Sequence, residues 1–254
     1  MIQFQADKHL YTKNNENYLS VTSLLKKLDP TDWDLVKQKY ATKHGLTIEE
    51  VTQKWATQAD GGTKIHAHFE NATINGGGNV IVHKESDGIK YGHDLSTLTE
   101  GIYPELILYS DRYKIAGQSD LITVNADKTF KILDFKTDRV LSFESFKEFD
   151  PVIKRRVPKY FKEPISGLEL CNYNKYCLQL SVYALMLEQF RFKLSQEEDA
   201  LQIKHITTER DEKGDHVLDA NGNPIMIKED VYNLPYLKEE AKAILNYYLN
   251  LNTL

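Results

Sequence analysis

Four residues, Ala126-Asp127-Lys128-Thr129, are all that separate two β-rich segments, DLITVN (120–125) and FKILDF (130–135). That gap is of hairpin length. With Ala126, Asp127 and Lys128 as the loop, Asn125 faces Thr129. Counting back along both strands then sets Asp120 directly opposite Asp134. Opposed side chains share a face, with Cβ atoms ~5 Å apart. A register shifted by one residue would send Asp120 to the other face. On the second strand, Phe130, Ile132, Asp134 and Lys136 alternate to one side, so an apolar face ends in an acid and an amine. Two facing carboxylates repel unless positive charge lies between them. Lys136 is one candidate. A divalent cation is a better one, because carboxylate oxygens are preferred ligands of Mg2+.

Around this hairpin the pattern is mixed. IQFQ and YLSVTS, on either side of the turn-rich TKNNEN, suggest an N-terminal hairpin, with Ser20 or Thr22 capping a helix from about Ser23. A helix beginning near Asp34 ends at Gly45. Thr47-Ile-Glu-Glu50 is a capping box that starts the next. Gly61-Gly62 is expected to break that helix before TKIHAHFENAT resumes it, and NGGGN (75–79) to form a turn. VIVH, ELILYS, RYKIAG, DLITVN and FKILDF are expected as consecutive strands. Residues 141–165 are irregular and locally basic, and 170–190 form a strong helix. A hairpin with NGNP (221–224) at its turn and the amphipathic helix LKEEAKAILNYYLNL follow. No internal repeat or low-complexity linker divides the chain.

Composition excludes several classes. No apolar run approaches the ~20 residues of a membrane span, and MIQFQADKHLY lacks the pattern of a secretory signal. Cys171 and Cys177 are too few for a disulfide framework or for the four thiolates of an iron–sulfur cluster, and are expected as core thiols. An intracellular setting fits. The net charge of −5 opposes broad attraction to nucleic acid but leaves room for one local basic groove.

Other polar residues recur at telling spacings. His66 and Glu70 stand four apart on one helical face, a feasible metal-ligand pair or a structural one, and His68 points elsewhere. Tyr176, Gln179 and Tyr183 form a polar stripe on an otherwise apolar helix, satisfied internally or lining a site. Glu105 opens ELILYS, either as a third carboxylate or as a surface strand end. Gly117 permits a bulge or the close approach of another backbone. VIKRRVPKYFKE (152–163) gathers Lys154, Arg155, Arg156, Lys159 and Lys162 around Tyr160 and Phe161, a solvated loop or a cover that guides a nucleic-acid strand.

In order along the chain, His66 in GTKIHAHFE, Glu105 in PELILYS, Asp120 in IAGQSDLI, DFKT, and Gln179 with Tyr183 in QLSVY resemble the PD-(D/E)xK nuclease superfamily, and its RecB-like exonuclease branch most closely. The series spans residues 62 to 183, and YLSVTSLL near the N-terminus is similar to mitochondrial genome maintenance exonucleases and their phage relatives. Ser119 stands where the superfamily's nominal Pro would be, and Asp134 replaces the commoner Glu. The cluster-binding cysteines of some members are absent, so no iron–sulfur cluster is expected.

The resemblance implies an α/β fold with a restriction-endonuclease-like core, a central mixed β-sheet flanked by helices, and an N-terminal helical elaboration. It implies a single nuclease domain over 1–254, with the elaboration in 1–60, the catalytic core in 61–190 and a closing hairpin and helix in 191–254. Asp120 and Asp134 would hold Mg2+ or Mn2+ with the Phe135 carbonyl and His66, and Lys136 would position or deprotonate the attacking water. Glu105, Thr137, Gln179, Tyr183, Arg155 and Arg156 would contact substrate, with Glu70 and Tyr176 in support. The implied activity is metal-dependent hydrolysis of DNA phosphodiesters, by an exonuclease acting on ends or single strands in replication, recombination or repair. An endonuclease on the same core and an inactive nucleic-acid-binding module are the alternatives. The expected setting is cytoplasmic, with a phage-encoded source included.

Overall fold

The computed structural model describes residues 1–252. The chain opens with β1 (Gln3–Gln5), β2 (Leu10–Lys13) and β3 (Glu16–Ser20), an antiparallel meander. The expected hairpin thus gains a strand, and TKNNEN turns at Asn14 and Asn15, both at positive φ. Helix α1 (Val21–Lys27) is capped by Ser20, whose Oγ accepts from the Ser23 amide. Helix α2 (Trp33–His44) ends at Gly45 in the left-handed region, as its sequence requires. Helix α3 (Ile48–Asn75) starts on the capping box of Thr47 and Glu50.

Gly61 and Gly62 do not break α3. They thin it. A Cβ on Gly61 would meet the His216 ring at 2.6 Å, and one on Gly62 would meet Thr137 Oγ1 at 2.8 Å. The pair answers to packing, which outweighs its modest helix-propensity penalty.

Next come β4 (Lys84–Ser86) and β5 (Ile89–Tyr91), then a single turn of 3-10 helix at Leu95–Thr97. VIVH is not a strand; only Val80 makes an isolated bridge, to Ile102. The central strands are β6 (Gly101–Ser110), β7 (Ile115–Val124) and β8 (Thr129–Lys136). RYKIAG and DLITVN, expected as two strands, contribute to one. Arg112, Tyr113 and Lys114 form the turn before it, with Lys114 at φ 51°.

Residues 141–165 carry a two-stranded ribbon, β9 (Glu148–Asp150) and β10 (Arg155–Val157). Helix α4 (Asn172–Glu188) is buried from Cys177 to Leu187. The chain closes with β11 (Lys193–Leu194), β12 (Leu201–Thr208), β13 (Met226–Asn233) and α5 (Lys238–Asn252). NGNP turns a small bridge, Leu218 to Pro224, within the long β12–β13 connection.

One eleven-stranded mixed sheet takes strands from every part of the chain, flanked by helices in an α/β arrangement. Strand β8 shows how its faces are used. Phe130 and Ile132 join the main core with α4, while Leu133 and Phe135 pack with Ile65 and Phe69 of α3. Among the described residues, no helix is long and apolar enough to cross a membrane.

Candidate metal centre

The site lies where a sheet edge divides. Strand β6 pairs with β7 along its length. The other edge of β7 is shared: β8 takes residues 121–124, and β3, running parallel, takes 115–116. Residues 117–120 are left at the fork. The C-terminal ends of β3 and β8 converge there, bringing Ser20 and Lys136 toward the same stretch. Diverging neighbours at strand C-termini open a crevice, the usual ligand position in α/β sheets. A cleft of about 460 Å³ occupies it, with Ser20, Thr22, His66, Glu105, Asp120 and Gln179 in its lining.

The β7–β8 register runs from Val124↔Phe130 to Leu121↔Leu133, so the next pair in sequence is Asp120 with Asp134, as the hairpin count requires. Beyond Leu133 the ladder stops. The Phe135 amide instead donates to Asp120 Oδ2 at 2.5 Å. Of Phe135, then, it is the N–H that touches this carboxylate.

On the other side of β7, Pro104 pairs with Leu121 and Leu106 with Ser119, while Glu105 drops out of the ladder with φ 52°. Its carbonyl accepts from the Gln118 side chain at 3.1 Å. A non-glycine residue in the left-handed region stores strain of about 1–3 kcal/mol. The kink sets the carboxylate beside its neighbours: single ligand atoms of His66, Glu105 and Asp120 lie within 4.8 Å of one another. His66 Nδ1 is 3.0 Å from Asp120 Oδ1. Burial, then the Asp120 charge, push the Glu105 carboxyl up to about 8, against the pull of Lys90. Burial lowers the His66 pKa, but Asp120 outweighs it and the net shift is upward. Two carboxylates and an imidazole, crowded until one carboxyl resists ionisation, could hold a divalent cation, and carboxylate oxygens are the donors that suit Mg2+ or Mn2+.

Asp134 is not in that group. It is buried on the α4 side of the sheet, with its Oδ2 in ion-pair contact with the Lys136 ammonium. Burial and Asp120 raise its pKa, while Lys136 and His66 pull it down. Lys136 donates to Gln179 Oε1 at 3.1 Å and sits 4.5 Å from the centre of the Tyr176 ring. Gln179 Nε2 donates to the Tyr183 hydroxyl at 3.1 Å, which donates to the Gln118 carbonyl at 3.0 Å. The polar stripe of α4 is thus satisfied internally, and it aims Lys136. Gly117 admits the Tyr183 ring, a Cβ there meeting Cε1 at 2.5 Å, so a side chain and not a backbone makes the close approach.

Thr137 lines the cleft against Gly62. Tyr176 hydrogen-bonds Asp138. Glu70 makes no direct contact with the group, but its charge helps raise the Glu105 pKa. Arg155 and Arg156 are exposed on the ribbon, outside the cleft lining. Phe161, expected beside them as a base-stacking ring, is instead buried in the core, and Lys159 is tied to Glu148 at 2.7 Å. Cys171 and Cys177 are buried free thiols.

Two contributors carried weak sequence signals. Gln118 stands two residues before Asp120, a spacing that marks one strand face. Lys90, 3.8 Å from Glu105 Oε2, gives no local sign of its place. No family model matches the chain, and no curated protein matches it in sequence.

Proposed function

We propose that this chain is a divalent-metal-dependent deoxyribonuclease on a restriction-endonuclease-like core, acting as an exonuclease on DNA ends or single strands. The observation that carries the reading is the fork itself. His66, Glu105 and Asp120 gather at one level of the sheet, and the Asp134–Lys136 pair ends the strand beside them. His66, Glu105 and Asp120 would hold Mg2+ or Mn2+, with Asp134 next to them. An ion bound there supplies Lewis-acid polarisation of a phosphodiester and lowers the pKa of a water.

The protein's own groups do the rest. Burial would lower the Lys136 pKa, but Asp134 and Asp120 overcome it and raise it. Lys136 is therefore held as a cation, suited to orienting a phosphate and offsetting charge that develops on it. This favours an electrostatic role over that of a general base. Gln179 and Tyr183 fix the direction of its ammonium. Residues of β3 and α3 form the cleft walls around the group.

End-labelled single- and double-stranded DNA should be degraded with Mg2+ or Mn2+ and left intact with chelator. Covalently closed circular DNA should resist. Cleavage of closed circles would make the enzyme an endonuclease, and no cleavage of any substrate would leave a binding module.

A further inference from the structure

We propose that the recess between α1, α2 and α4 receives a nucleobase of the strand whose phosphate lies at the fork, an inference that rests on the nuclease reading above. The recess has a volume of about 210 Å³ and is walled by Leu25, Trp33 and Tyr176. Thr22 and Gln179 line both it and the metal cleft, so the two openings share a wall. Tyr176 also links them, since its ring carries the Lys136 ammonium 4.5 Å from its centre.

Trp33 is the feature that asks for an occupant. It is 52% exposed although it walls the recess. Its backbone is fixed as the first residue of α2, where the Asp32 side chain accepts from the Leu35 amide at 2.9 Å. An exposed indole on a fixed backbone is a preorganised stacking platform. Lys175 lies 5.8 Å from the ring centre, held by Asp29 at 2.9 Å. Lys26 lies on the rim and forms no ion pair among the described residues. A flat apolar wall with cations at its edge suits a base joined to a phosphate, and stacking of this kind tolerates any sequence. An apolar peptide would meet the same wall but would leave Lys26 without a partner.

The chain has two tryptophans, Trp33 and Trp55, so Trp55→Phe leaves Trp33 as the sole reporter. Fluorescence would be titrated in chelator, without cleavage, using a short oligothymidylate and the same backbone made abasic. The oligothymidylate should quench Trp33 and the abasic strand should not. Trp33→Ala should weaken oligothymidylate binding roughly tenfold, the loss of one stacked base, and Trp33→Tyr should restore most of it. Absence of quenching, equal affinity for both strands, or unchanged affinity in Trp33→Ala would overturn the inference. The two readings separate cleanly. Metal-dependent cleavage without quenching removes the base recess alone. Quenching without cleavage under any metal removes the nuclease and leaves a base-binding recess.

Discussion

Replacing Lys136 with methionine tests the charge balance at the end of β8. Asp134 is 2% exposed, and its Oδ2 is paired with the Lys136 ammonium. Removing one partner of a buried pair costs ~3–5 kcal/mol, because the other charge stays buried alone. With a urea slope of about 2–3 kcal/mol/M, the unfolding midpoint should fall by roughly 1–2 M. The loss depends on pH. The folded Asp134 pKa lies above the usual carboxylate value, from burial and Asp120, and losing Lys136 raises it further. An acid with a raised folded pKa imposes no penalty below its unfolded pKa, and a growing one as pH climbs through the folded value. The gap between wild type and Lys136→Met should therefore be small near about pH 5 and larger by up to about 2–3 kcal/mol near about pH 8. Both measurements belong in chelator. Asp134→Asn with Lys136→Met should recover most of the loss, since both charges leave together. A gap of equal size at the two pH values would refute the argument, because Lys136 would then contribute packing alone.

His66→Ala should lower Mn2+ affinity by at least tenfold in calorimetry, and His68→Ala should leave it unchanged. Because Asp120 lifts the His66 pKa against burial, protons should compete with metal from near neutrality downward; affinity flat between about pH 8 and pH 6 would remove His66 from the site. Glu105, with a carboxyl near 8, should release a proton when metal binds at about pH 7, visible as a buffer-dependent heat that Glu105→Gln reduces, the remainder coming from His66. The combination Arg155→Glu with Arg156→Glu should raise KM for DNA and make the salt slope shallower by about 1–2, whereas unchanged affinity across a salt series would mark the ribbon as a solvated loop.

Much of the site was legible because its determinants are local. The three-residue loop after Asn125 sets the β7–β8 register, and Asn125 N–H does bond the Thr129 carbonyl at 2.8 Å. Strand alternation put Asp134 and Lys136 on one face, and the structure shows that Lys136 there meets α4. Ser20, Gly45 and the Thr47–Glu50 box act within a few residues, and all three behave as local chemistry dictates. What was hidden is nonlocal. Gly61 and Gly62 look like breakers until His216 and Thr137 arrive against them. Glu105 is in a left-handed conformation that nothing in PELILYS signals. Phe161 sits in a basic, loop-like run, yet it is buried. Asp134 was expected as a ligand beside Asp120; it contacts Lys136 and is not among the three groups clustered at His66.

The parallel pairing of β3 with β7 also governs when the cleft exists. Leu19 pairs with Ile115, 96 residues later in the chain. At ~5–20 residues per second, synthesis leaves β3 waiting roughly 5–20 s for that partner. During the wait β3 has only β2 beside it. The β7–β8 hairpin, by contrast, closes as soon as its two strands emerge, within microseconds. Ile115 nevertheless emerges 21 residues before Lys136, so the long-range partner of β3 is in place before the hairpin that brings Asp120 and Asp134 together is complete. Of the three strands at the fork, the one made first thus waits longest, and the cleft closes on it only as β8 arrives.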